Sequence, residues 1–260
     1  MIEQKYEIAD LLTPDMKRLR VPVDFTKDTE NFWVEYWEKN PLGKIKTDPD
    51  SLSEGLRTSQ YLLYCGKMPG LTKGEKPLLM WDGIRLSSDT IITMMNFSNY
   101  DVVKSMANDP RFRPKVEKFM RTIYTIGGEI LFPRRPFNSI NQVRGSSAND
   151  RFDVTLMCIQ KYYGWGEVPQ DKVPESLLQA IKNESEFFNR FGTFKNYVDT
   201  FFLNDLVDED YNTKLWIENP KRPKADEYET FMQRQMEFLE KRNRRISEYE
   251  LPEIRPFPQD

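Results

Sequence analysis

The stretch "NSINQVRGSSANDRFDVTLMCIQKYYG", Asn138–Gly164, decides how the centre of this chain folds. Phe152, Leu156, Ile159 and Tyr163 recur at helical spacing, which predicts a helix from about Ala148 to Tyr163 with that face in the core. Ser146 or Ser147 stands where such a helix needs a cap. Arg151, Thr155 and Cys158 form a neighbouring stripe, and Asn138, Asn141, Gln142, Arg144 and Gly145 lie just upstream. Amides, hydroxyls and two guanidinium groups at a helix start are the parts of an anion site, because free backbone N–H groups and the helix dipole favour negative charge there. The same residues also have a structural use: Arg151 can pair with Asp150, Asp153 or a carboxylate of another helix. The difference is geometric, since a binding arginine faces an open concavity and a structural one ends on protein carboxylates.

Working outward, "VPESLLQAIKNESEFFNRFGTFKNYVDTFFLNDLV" reads as two helices parted near Gly192. Phe187, Phe188 and Phe191 lie on the first, and Tyr197, Val198, Phe201, Phe202 and Leu206 on the second. Stripes at such spacing belong to a core. "ADEYETFMQRQMEFLEKRNRRI" is a long amphipathic helix, with acids early and bases late as its dipole favours. Its basic end, Lys241, Arg242, Arg244 and Arg245, reads as a solvated terminus. Upstream, "IYTIGGEILF" reads as a strand interrupted at Gly127-Gly128 by a bulge or tight turn. Runs such as "LLMW" suit strands, Ser87-Ser88 before "DTIITMM" reads as a helix N-cap, and a short helix is expected around Phe32–Trp37. The fold expected is α+β and mainly helical, its helices packed round a small antiparallel β element from 78–132. It forms one domain over 1–260, with an irregular segment at 1–55 and a proline-bearing tail at 247–260.

Composition narrows the chemistry. The 260 residues contain no histidine, which removes imidazole acid-base catalysis, Ser-His-Asp and Cys-His arrangements, and histidine metal ligation. Lys plus Arg number 38 against 41 Asp plus Glu, so the net charge of −3 gives no whole-chain attraction to nucleic acid. Cys65 and Cys158 stand far apart among apolar and aromatic neighbours, as buried thiols do, and point to a reducing, cytoplasmic setting. A signal-peptide core and a membrane-length apolar run are both lacking.

Metal chemistry finds modest support. Asp150 and Asp153 are spaced by three and on a strand would face opposite ways, which disfavours a two-metal site. In "NDLVDEDY", Asp205 and Glu209 would share a helical face suited to Mg²⁺, although such acids usually sit at a solvated helix end. A glycine loop of the Walker or dinucleotide type is not present.

The segments "YTIGGEILFP", "SINQVRG", "DRFDVTLMCI", "FFNRFGTFKNYVDTFFLNDLV" and "MEFLEKRNRRI" together resemble an uncharacterised family of bacterial proteins known only as a domain of unknown function. The resemblance runs from about Leu56 to Ile246 and implies no activity. In that family an acidic residue often stands where this chain has Met157, so a catalytic carboxylate there is not expected.

The functional expectation is a cytoplasmic protein that binds a phosphorylated ligand, a nucleotide or nucleic-acid end, through Asn138, Asn141, Arg144, Ser146, Arg151 and Asp153. Whether it is an enzyme, and whether Mg²⁺ takes part, stays open on this reading. The alternative is a non-catalytic protein-protein interaction module, defence- or toxin-related roles being compatible with it.

Overall fold

The computed structural model describes residues 8–28, 48–92, 100–137, 139–148, 151–215 and 224–253. The expected helix around Phe32–Trp37 lies outside them, as do Asn138 and Asp150. The sheet begins from the dipeptide Asp82-Gly83. Both residues have positive φ, 44° and 88°, the backbone a two-residue hairpin requires. It joins β2 (Leu79–Trp81) to β3 (Ile84–Thr90), with Trp81 opposite Ile84. β1 (Leu71–Lys73) pairs with β2, and β4 (Glu129–Pro133) with β3, giving an antiparallel sheet in the order β1-β2-β3-β4. Ser87 and Ser88 therefore lie within a strand and cap no helix. Pairing with β4 over five residue pairs outweighs the local capping preference. β1 also extends the sheet below the expected 78–132.

Gly127 and Gly128 form a 3₁₀ turn, Ile126–Gly128, that feeds β4, where a bulge or hairpin was expected. A Cβ on Gly128 would lie 1.7 Å from the carbonyl oxygen of Ile123, so the chain passes too close there for any side chain.

Eleven α-helices surround the sheet among the described residues. The first three are α1 (Ile8–Leu11), α2 (Pro49–Leu52) and α3 (Glu54–Tyr64). α4 (Tyr100–Asn108) and α5 (Arg113–Ile123) precede β4. The central pair is α6 (Ile140–Ser147) and α7 (Phe152–Tyr162). α8 (Glu175–Asn183), α9 (Ser185–Asn189) and α10 (Phe194–Thr200) follow, and α11 (Ala225–Glu248) closes the fold.

The central stretch is thus two helices instead of one. Ser139 caps α6 through a reciprocal box with Gln142, while Ser146 and Ser147 sit in its last turn. The face of Phe152, Leu156 and Ile159 is fully buried as its spacing predicts. Similarly, the expected two-helix segment downstream is three helices, the first two parted at Glu184, which leaves the helical path and pairs with Arg135. Its aromatic stripes are buried, with Phe191 packed on Trp81, Tyr197 and Phe201 at ring separations of 5.2–5.5 Å. After α11 the tail folds back, the amide of Leu251 donating to the carbonyl of Lys17 at 2.8 Å.

Candidate functional site

β3 and β4 carry polar side chains on both faces of the sheet near the turn that feeds β4. On one face Glu129 lies opposite Thr90, and on the other Asp89 lies opposite Ile130. Arg144 reaches Asp89 from α6. Its guanidinium is sealed from solvent, forms an ion pair with Asp89, donates to the carbonyls of Thr90 (3.0 Å) and Ile91 (2.9 Å), and meets the Thr155 hydroxyl at 3.3 Å. It also lies beside the packed rings of Phe132 and Phe152, 5.6 Å from each centroid. Arg151, at the N-cap position of α7, is nearly buried and grips Asp153, which has no exposure, with Nε 3.0 Å from Oδ1.

The residues expected to bind a ligand are therefore placed as follows. Arg144 is in a helix, not a loop, and both arginines end on protein carboxylates. Ser146 is exposed and turns its hydroxyl back to the carbonyls of Gln142 and Val143. Asn141 is partly buried on α6 with an unpartnered carbonyl oxygen. The expected solvated end of α11 needs a further correction: Arg242 is fully buried. Asp205 lies in a 3₁₀ turn and pairs with Arg245 in place of sharing a helical face with Glu209.

A second set of carboxylates escaped the sequence reading. Glu129 is completely buried. Its Oε2 accepts from the Ser88 hydroxyl at 2.8 Å, and Ser88 in turn accepts from the Gln60 amide at 2.8 Å. Among the described residues its Oε1 has no hydrogen-bond partner. Burial raises the Glu129 pKa well above the ordinary value. The charges of Asp50, Asp48 and Asp89 push in the same direction, and the Ser88 bond opposes them. α2 packs against β3 and brings up Asp48 and Asp50, both partly exposed. Burial also pushes Asp50 well up, reinforced by the charges of Asp48 and Asp89. Asp48 is raised by burial, against bonds from the Asp50 amide and the Tyr124 hydroxyl. Among the described residues neither Asp48 nor Asp50 has a basic side chain against it. Asp48, Asp50 and Asp89, the three acids whose charges act on buried Glu129, are termed the acid lip. A clustered, desolvated set of carboxylates favours either protons or an added positive charge. No three His, Cys, Asp or Glu side chains among the described residues are placed to hold a metal ion.

Fold and site together define a mainly helical α+β protein built on a four-stranded antiparallel meander, with an acidic cluster near the turn that feeds its last strand. The chain belongs to a family of unknown function, DUF6994, whose model matches residues 20–246. No curated protein and no solved structure matches it. Among the described residues no helix is long and apolar enough to cross a membrane.

Proposed function

We propose that this protein binds a ligand through a cationic group, an amine or guanidinium, held at the acid lip formed by Asp48, Asp50 and Asp89. The observation that carries this reading is the pair Asp48 and Asp50, two half-buried acids at the start of α2, joined by a bond from the Asp50 amide to the Asp48 carboxylate and with no basic partner among the described residues. Arg144 balances Asp89 alone. A ligand ammonium or guanidinium supplies the missing charge with several N–H donors, a match for carboxylates spread along a lip.

This reading takes precedence over a phosphate site at Arg144 and Arg151 because both guanidinium groups are already engaged by carboxylates. The interaction-module alternative draws on few exposed large hydrophobics among the described residues, namely Met16, Leu52 and Phe137.

Thermal melting with putrescine, agmatine, ATP and MgCl₂ as separate additions tests the proposal. An amine or guanidine at about a hundred times its Kd stabilises the fold by about 2.7 kcal/mol, a shift read directly in the melting temperature. Asp50→Asn should abolish that shift. Stabilisation by ATP without metal and none by the amines would restore the phosphate reading instead.

A further inference from the structure

Lined by other residues than the acid lip, a concavity of about 290 Å³ lies between the loop that follows α3, the end of strand β2, the residues just after α9, and helix α10. Its walls include Lys67, Trp81, Arg190, Phe191, Asp199 and Thr200. Lys67 is partly buried, its Nζ lying 4.6 Å from the ring centroid of Phe202 and 4.8 Å from that of Tyr249. Among the described residues, the one acceptor it reaches is a main-chain oxygen, that of Asp199, at 3.2 Å. No carboxylate among the described residues forms an ion pair with it. Oδ1 of the nearby Asp199 accepts from Asn204 at 2.7 Å and from the Tyr211 hydroxyl at 3.2 Å, so that oxygen is directed to its own neighbours.

A half-buried ammonium with no direct ion pair is uncommon, because desolvation disfavours its charge. Burial indeed lowers the Lys67 pKa, against the charge of Asp199. Across the concavity Arg190 adds a second cation, 5.0 Å from the Trp81 ring centroid. Its own partners, Asp82 and Glu186, are largely exposed, and solvent screens them. The Thr200 hydroxyl has no partner among the described residues and can donate. Trp81, Phe191 and Pro69 contribute apolar lining.

We infer that this concavity is a binding site for a small organic anion, a carboxylate or phosphate carried on an apolar group no larger than a single ring. The head group pairs with Lys67 and takes a hydrogen bond from Thr200, and the apolar part lies toward Trp81 and Phe191. The inference is independent of the acid lip, which selects the opposite charge.

Titration calorimetry of the full chain with benzoate and with phenyl phosphate tests it. One of the two should bind with saturable 1:1 stoichiometry, and the tighter one identifies the head group. Lys67→Met, which keeps an unbranched chain against the Phe202 and Tyr249 rings, should melt like the wild type yet lose at least about tenfold in affinity, the scale of one charge-assisted bond. Lys67→Arg should retain part of the affinity. Saturation by neither probe, or equal affinity in Lys67→Met, would overturn the inference. If Lys67→Met proves unstable, protection of Lys67 from amine-directed labelling by the bound probe gives the same answer in the wild type, and unchanged labelling refutes the site.

Discussion

Arg144 and Arg242 are both sealed from solvent, yet they are satisfied in opposite ways. Arg144 meets a carboxylate, Asp89, together with two carbonyls and a hydroxyl. Among the described residues Arg242 meets no carboxylate. It donates to the carbonyls of Phe201 (3.0 Å), Gly127 (2.6 Å) and Glu129 (2.9 Å) and to the Tyr64 hydroxyl (3.2 Å). Burial lowers its pKa, countered by Tyr64 and by Glu129, whose side chain is the carboxyl of the acid cluster. A buried cation can thus be neutralised by charge or solvated by backbone dipoles. The first mode makes a separable pair. The second fastens the 3₁₀ turn, the start of β4 and the end of α10 to one helix.

The contrast is broken most easily at Arg242. Arg242→Met leaves three carbonyls without their donor at roughly 1–3 kcal/mol each, so a loss above about 5 kcal/mol is expected in urea unfolding. That is the whole stability of many domains. A loss under about 2 kcal/mol would mean the carbonyls find other donors and the two arginines are alike. Arg144→Met strands the Asp89 carboxylate together with the Thr90 and Ile91 carbonyls, so a loss of comparable size, at least about 3–5 kcal/mol, is expected. Adding Asp89→Asn should recover part of that loss, a rescue that no single acid change provides for Arg242. A double-mutant cycle with no coupling would remove the distinction.

The smallest effect sharpens the comparison through pH. Glu129 and Asp50 bind protons more tightly folded than unfolded, so the native state holds more protons above the ordinary carboxylate pKa of about 4.3. Stability should then fall as pH rises from there through the raised native values. Each tenfold gain in proton affinity on folding corresponds to about 1.4 kcal/mol. Glu129→Gln keeps the Ser88 bond and removes the ionisation. It should be more stable than the wild type at pH 8, with the advantage shrinking toward pH 4. Parallel pH profiles for the two proteins would contradict a protonated Glu129.

Much of the fold was legible because local and tertiary demands agree. The long helix over Ala225–Glu248 and the aromatic stripes of α9 and α10 follow from spacing alone. The β2–β3 hairpin was also legible in "LLMWDGIRL", where Asp82-Gly83 is a strong turn signal that the reading passed over. Similarly, "SINQ" carries the capping box that places the start of α6 at Ile140, and the serines downstream drew attention from it. The site was less legible. The spacing of Phe231, Phe238, Arg242 and Ile246 puts the arginine on the apolar face, but its basic neighbours suggested solvent. A lone acid in the apolar run "GGEILF" was the available mark of Glu129. Nothing local links it to Asp48 and Asp50, which only the packing of α2 on β3 brings near.

Arg242 also imposes an order in time. The oxygens of Gly127, Glu129 and Phe201 are all synthesised before the guanidinium that satisfies them. A chain emerging from the ribosome can form the β2–β3 hairpin early, but the turn before β4 and the end of α10 must wait in water until residue 242 is free. Closure of the interior is therefore a late event on the nascent chain, and a stall within α11 would leave those segments exposed.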